Sequence, residues 1–353
     1  MSPGLRVGLV AAIIAILAMA LLYRPAPASG STVVVYTSVD SEYAEKLAER
    51  FTLATGIKVQ LSTDSELTKT TGMLEQIRAL KDHPVGDVFW NSELSGTLQL
   101  AREGLFETYR SPSSNSIPGQ FKDADGKWTG FGLRARVLIF NTGKVKKEAA
   151  PKSLEELARP EWRGRFCIPR ALFGTTRSHL VSLVLALGPE KGFALLRQLR
   201  DSGSDSGKKE WLVDGNSAVR DLVSKGAYDL GITDTDDVYE ALDRHSPVDF
   251  LLLDQTREWP GVYVIPNSVS ILKGAVHLDA AKVFVDFLLK PETEAWLAQQ
   301  GARQIPVRTD VPVPAGQPKL NELHTAEVNL KELSEQLEPL SERIDKVLRG
   351  VEP

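Results

Sequence analysis

Thr32-Val33-Val34-Val35-Tyr36-Thr37, the turn Ser38-Val39-Asp40, a run carrying Tyr43, Leu47, Phe51 and Leu53, and then Gly56-Ile57-Lys58-Val59-Gln60-Leu61 decide the architecture of this chain. The first run is dominated by β-branched residues and reads as a buried strand. The apolar positions that follow fall at nearly helical spacing, and Gly56 is a natural stop before a second strand at 57–61. Two strands joined by a helix need a crossover, so they lie parallel as a βαβ unit.

Working outward, the pattern repeats. A helix is expected over 67–80, a strand over 87–91 and a helix over 94–103 stopped by Gly104. This alternation predicts an α/β protein with a mostly parallel sheet covered by helices. Residues 111–126 are rich in Ser, Pro, Asn, Asp and Gly and read as a surface loop. Residues 127–141 form a long apolar strand leaving the first lobe, interrupted by Arg134 and Arg136. A second lobe follows, with helices over 153–157, 175–187, 189–201 and 218–225. A further extended segment spans 262–272, and helices are expected over 280–289 and 291–299. Residues 320–348 are highly charged, with Leu every three to five positions, and predict one amphipathic helix packed on the outside.

The amino terminus speaks for export. Arg6 precedes an apolar run over 7–23, and Ala26-Pro27-Ala28 fits a signal-peptidase site. The run falls just short of the roughly 20 residues of a membrane span, so residues 1–30 are read as a signal peptide or an N-terminal anchor that tethers the chain through 7–23. No Cys lies near its end for lipid attachment. The remaining length of about 325 residues suits two domains. The single Cys167 excludes an internal disulfide, and a net charge of -4 without a basic stripe excludes the footprint of a nucleic-acid binder.

The stretch Leu230-Gly231-Ile232-Thr233-Asp234-Thr235-Asp236-Asp237 is an apolar strand ending in three carboxylates. Like charges this close repel, and hydrogen bonds or a cation must offset the cost. Two readings stand open: Asp234 caps a helix whose first turn holds Asp236 and Asp237, or the cluster binds something cationic. Other polar loops at strand ends hold Ser38 and Asp40, Glu93, and Thr175 with Thr176. Ligands of open α/β sheets bind at such ends, so Asp40, Glu93, Asp236 and Asp237 are candidate ligands for a hard cation. Arg134 and Arg136 share one strand face and suit an anion or an acidic neighbour. The five histidines lack metal-ligand spacing and read as surface or capping residues. An enzymatic alternative uses Asp234 and Asp236, since Asp-Thr-Asp-Asp-Val is similar to the opening motif of haloacid-dehalogenase phosphatases and contains the Asp-x-Asp of metal-dependent glycosyltransferases.

Taken in order, Val34-Val35-Tyr36-Thr37-Ser38, Ala54-Thr55-Gly56-Ile57-Lys58-Val59, Asp87-Val88-Phe89-Trp90, Arg134-Ala135-Arg136-Val137, Glu161-Trp162-Arg163-Gly164-Arg165, Ile265-Pro266-Asn267-Ser268, Asp286-Phe287-Leu288-Leu289 and Gln304-Ile305-Pro306-Val307-Arg308 resemble the ferric-ion-binding family of periplasmic substrate-binding proteins of ABC importers. The resemblance implies a two-lobed type II periplasmic-binding-protein fold with crossing strands, a non-enzymatic monomer, and permease and ATPase partners. It places residues 31–132 and 265–353 in lobe 1 and 133–264 in lobe 2, with Fe³⁺ or another hard cation and a synergistic anion in the cleft. Position by position, the family's histidine falls on Asp40, its glutamate on Glu93 and its paired tyrosines on Asp236 and Asp237. Arg134 or Arg136 matches its anion site, and Thr175 and Thr176 line a similar wall. The absent tyrosines are a departure that separates this chain from the family's usual ferric chemistry.

Overall fold

The computed structural model describes residues 31–63, 71–172, 174–204, 210–256 and 258–351. The expected leader and the expected start of the helix at 67 lie outside them. Among the described residues no helix is long and apolar enough to cross a membrane.

β1 (Thr32–Thr37), α1 (Ser41–Thr55) and β2 (Lys58–Thr63) form the expected unit, with β1 and β2 parallel. Gly56 closes α1 in the left-handed conformation at φ 75° and donates its N–H to the Thr52 carbonyl. Leu47 and Phe51 are fully buried, but Leu53, two positions and about 200° further around the helix, is 81% exposed. α2 (Thr71–Ala79), β3 (Val88–Asn91) and α3 (Ser95–Arg102) follow. The long strand β4 (Thr129–Asn141) then leads to α4 (Leu154–Leu157), β5 (Phe166–Pro169), α5 (Gly174–Leu187) and α6 (Pro189–Gly203). Next come β6 (Leu212–Val213), α7 (Asn216–Ser224), β7 (Leu230–Asp234), α8 (Thr235–Asp243) and β8 (Val248–Leu252). The chain ends with β9 (Val264–Ile271), α9 (Leu278–Leu288), α10 (Pro291–Gln299) and α11 (Leu330–Arg349).

The strands run in the order β2-β1-β3-β9-β4-β7-β5-β6, with β8 paired to β4. Pairs at both ends are parallel, but the centre is not: β9 pairs antiparallel with β3 and β4, and β4 antiparallel with β7 and β8. The sheet is therefore mixed where mostly parallel pairing was expected, because β4 and β9 run side by side in opposite directions between the two parallel halves. β4 pairs with β9 through Thr129–Ala135 and with β7 through Arg136–Phe140, so one strand carries the chain from one half to the other. The register shifts between Phe131 and Leu133, and Gly132 sits there at φ 50°. A Cβ at Gly132 would lie 2.4 Å from Gln304 Oε1, so glycine is needed for both conformation and space.

One core gathers β1, β3, β9, α1 and α9, where Phe51 meets Phe284 edge to face at 5.0 Å. The other gathers β5, α5, α6 and α11, with Leu94 and Leu98 from the α3 region reaching into it. The expected single helix over 320–348 begins only at Leu330. Residues 320–322 make a short 3-10 turn, and the chain then lies extended beside Val262, whose N–H donates to the His324 carbonyl and whose carbonyl accepts from the Ala326 N–H, both at 2.9 Å. Asn329 caps α11 by accepting from the Glu332 N–H. The helix packs on α5 and α6, where Leu333, Leu337, Ile344 and Val347 are buried, and Arg102 of α3 donates to the Ser334 carbonyl at 3.2 Å.

Asp254, just after β8, is buried at φ 58°, and its Oδ1 has no hydrogen-bond partner among the described residues. Burial pushes its pKa up to about 7. The folded protein therefore holds the proton more tightly than the unfolded chain, a stabilisation present in full below about pH 4 and lost as pH rises through about 7. Asp254→Asn, which tolerates the same backbone, should stabilise the protein by about 2–3 kcal/mol more at pH 8 than at pH 5. Urea titrations at the two pH values measure this, and an equal effect at both would exclude it.

Candidate functional site

The register of β4 on β7 sets Arg136 opposite Asp234. Arg136 Nη1 lies 2.7 Å from Asp234 Oδ1, while Thr175 Oγ1 and Asn216 Nδ2 each donate to Asp234 Oδ2 at 2.9 Å. Arg136 also donates to Thr175 Oγ1, Thr176 Oγ1 and Asn216 Oδ1. Asp234 is fully buried and Arg136 is 3% exposed. These residues use one another as partners, which offsets the cost of burying two charges. Arg136, Thr175 and Thr176, expected near a ligand anion, bond within this network. Asn216 completes it and carries no local signal, since its place after Gly215 reads only as a helix start. His179 departs from the expected surface or capping role: it is buried against Tyr263, ring centroids 5.6 Å apart. Burial and the nearby Arg136 push its pKa down to about 3, so it stays neutral.

Asp234 occupies the N-cap position of α8, but its side chain makes no capping bond there. Its carboxylate turns inward to Arg136, so the simple capping reading of Asp234 does not hold. Asp236 and Asp237 lie in the first turn of α8, where the helix dipole favours negative charge. Asp236 Oδ1 accepts from the Asp237 N–H, and Asp237 Oδ2 accepts from Thr233 Oγ1 at 2.8 Å. Arg220 Nη1 stands 3.8 Å from Asp237 Oδ1. Carboxylate oxygens of Asp234, Asp236 and Asp237 lie within 4.8 Å of one another. Burial, followed by the charges of Asp236 and Asp234, pushes the pKa of Asp237 up to about 8, and burial likewise raises that of Asp236 against the pull of Arg134.

The loops after β1 and β3 bring the remaining candidates close. Ser38 Oγ donates to Asn91 Oδ1 at 2.6 Å and accepts from the Ser92 N–H, tying the two loops together. Arg134 Nη2 donates to the Ser92 carbonyl at 2.5 Å, and its Nη1 lies 3.2 Å from Asp236 Oδ2. Burial opposes the charge on Arg134, but Asp236, Asp234 and Asp40 together outweigh it and raise its pKa. Asp40 is exposed, begins α1 through its carbonyl, and acts on Arg134 and Asp236 through its charge. Glu93 does not join the carboxylate group. Its oxygens accept from the Ser95 and Gly96 N–H groups at 2.6 and 2.9 Å, so it serves the first turn of α3. Of the expected set Asp40, Glu93, Asp236 and Asp237, the structure brings Asp236 and Asp237 together with Asp234 and leaves Asp40 acting on Asp236 through its charge. The enzymatic alternative meets an obstacle at Asp234, because an aspartyl nucleophile needs a free oxygen and both of its oxygens accept bonds in a fully buried position.

Residues 97–329 match the family model described as bacterial extracellular solute-binding protein. The chain is 29% identical over 322 residues to iron uptake protein A1 of Synechocystis sp., covering 89% of this chain and 86% of that protein. It is 26% identical over 269 residues to the major ferric iron-binding protein of Neisseria meningitidis serogroup B, covering 74% and 76%. The fold is similar to that of iron-bound HitA from Pseudomonas aeruginosa, with a TM-score of 0.77 at 21% identity over 92% of this chain and all of that one. The two-lobed α/β fold is the type II periplasmic-binding-protein fold, and proteins of this kind carry solutes for transport rather than catalyse reactions. With two thirds of its length matched to the family model, this chain belongs to the bacterial extracellular solute-binding proteins.

Proposed function

We propose that the chain is an exported receptor that captures a hard cation, ferric iron with a companion anion foremost, at Asp236 and Asp237, and delivers it to the permease and ATPase of an ABC importer. The observation that carries this reading is the meeting of the carboxylate oxygens of Asp234, Asp236 and Asp237 within 4.8 Å at a helix start. Hard cations favour such oxygens. The iron-binding names of the relatives support the choice of ferric iron. Asp40, across the gap, is proposed as the further oxygen donor, and Arg134 as the group nearest a companion anion. Glu93 is assigned to shaping the α3 end of the wall.

The expected lobes were 31–132 with 265–353, and 133–264; this reading keeps those bounds except for α11, which packs on α5 and α6 and is therefore assigned to the second lobe. Residues 7–23 serve as leader or tether, the protein works as a monomer, and it acts in the periplasm or at the cell surface. Asp236→Asn with Asp237→Asn keeps the shape and removes both carboxylates. It should weaken binding of ferric citrate by at least about 2 kcal/mol, roughly 30-fold. Equilibrium dialysis measures this, and unchanged affinity would reduce the pair to helix-terminal residues.

A further inference from the structure

The acidic group already has a cation of its own. Arg134 and Arg136 leave β4 two positions apart, yet their surroundings differ. The Arg136 side chain is 2% exposed inside its network, whereas that of Arg134 is 13% exposed and ends between the α8 start and the loop after β3. Its Nη1 lies 3.2 Å from Asp236 Oδ2 and 3.5 Å from Asp234 Oδ2, and its Nη2 holds the Ser92 carbonyl. Asp237 is served differently, by Thr233 Oγ1 and a more distant Arg220. Of the two carboxylates proposed to hold the cargo, Asp236 has the closer guanidinium, Arg134 at 3.2 Å against Arg220 at 3.8 Å from Asp237, and the Arg134 side chain is partly exposed.

Resting on the cation-binding reading above, we propose that Arg134 is an affinity-setting residue, a tethered counter-cation that the cargo must displace from Asp236, which lowers the affinity for every ion by the same factor and leaves only strongly held ions bound. Moving the guanidinium costs the same whatever ion arrives, while the gain from the carboxylate oxygens grows with the ion's charge. The fixed cost therefore sets a threshold. A trivalent ion clears it and keeps a useful affinity, whereas a divalent ion is left with weak binding. A ring of carboxylates without such a competitor would fill with abundant divalent ions.

The test uses Mn²⁺ as a divalent probe, with free ion followed by electron paramagnetic resonance. Arg134→Gln should bind Mn²⁺ at least about tenfold more tightly than the unaltered protein. Arg134→Lys, which keeps the charge, should gain less, and Asp236→Asn in the Arg134→Gln background should remove the gain. Arg244→Gln removes the same charge from the far end of α8 and controls for net charge. Arg134→Met replaces Arg134→Gln should the latter fail to fold. An Arg134→Gln protein that binds Mn²⁺ no more tightly, or a gain matched by Arg244→Gln, overturns the proposal. If ferric citrate binding depends on Asp236 and Asp237 while Arg134→Gln leaves Mn²⁺ affinity unaltered, only this inference fails. Absence of binding of either metal to every variant removes the cation-binding reading and this inference with it.

Discussion

Asp234→Ala should destabilise the protein by about 3–5 kcal/mol, because it leaves the Arg136 guanidinium buried without its counter-charge. Asp234 accepts from Arg136, Thr175 and Asn216, so the substitution removes three bonds at once. Water cannot readily replace them, since Asp234 is fully buried and Arg136 nearly so. The measurement is the urea midpoint at constant slope. A second variant separates the cause. Arg136→Met in the Asp234→Ala background removes the orphaned charge and should recover a large part of the loss, giving a strongly non-additive cycle. Simple additivity of the two substitutions would show that the pair is not the source of the cost.

Leu337→Ala should cost about 2–5 kcal/mol through the cavity it leaves in the core under α11. Leu337 is fully buried, and the same core holds Leu94 and Leu98 from the α3 region together with α5 and α6. The amphipathic helix is thus a component of a continuous core. Lys331→Ala, on the exposed side of the same helix, should shift stability by no more than about 0.5 kcal/mol. Equal effects of the two changes would mean that α11 contributes little beyond its own helix.

Much of the architecture was readable in the chain. The βαβ opening, the stop at Gly56 and the strands at 87–91 and 262–272 are local signals, set by side-chain volume and backbone freedom within a few residues. The late start of α11 was not readable, because His324 and Ala326 are held beside Val262, some sixty positions earlier. The cluster at 234–237 was also legible, as three like charges in four positions demand compensation from somewhere.

Where that compensation came from lay outside the reach of sequence. Arg134, Arg136, Asp234 and Asp236 belong to β4, β7 and α8, and the β4–β7 register sets Arg136 opposite Asp234 while Arg134 meets Asp236 at the start of α8. That register seals Arg136 on Asp234 and leaves Arg134 at Asp236, so one pair becomes interior structure while the other stays near the solvent. Glu93 was separated from the cluster in the same way, by two N–H groups of its own helix start that captured its oxygens. Sequence determined the order of elements, the family and the presence of an acidic strand end, because these depend on neighbours along the chain. Only the tertiary structure decided which of the acidic groups are committed to interior partners and which lie together near the solvent, because Coulomb energy and desolvation depend on distance and burial between residues about a hundred positions apart.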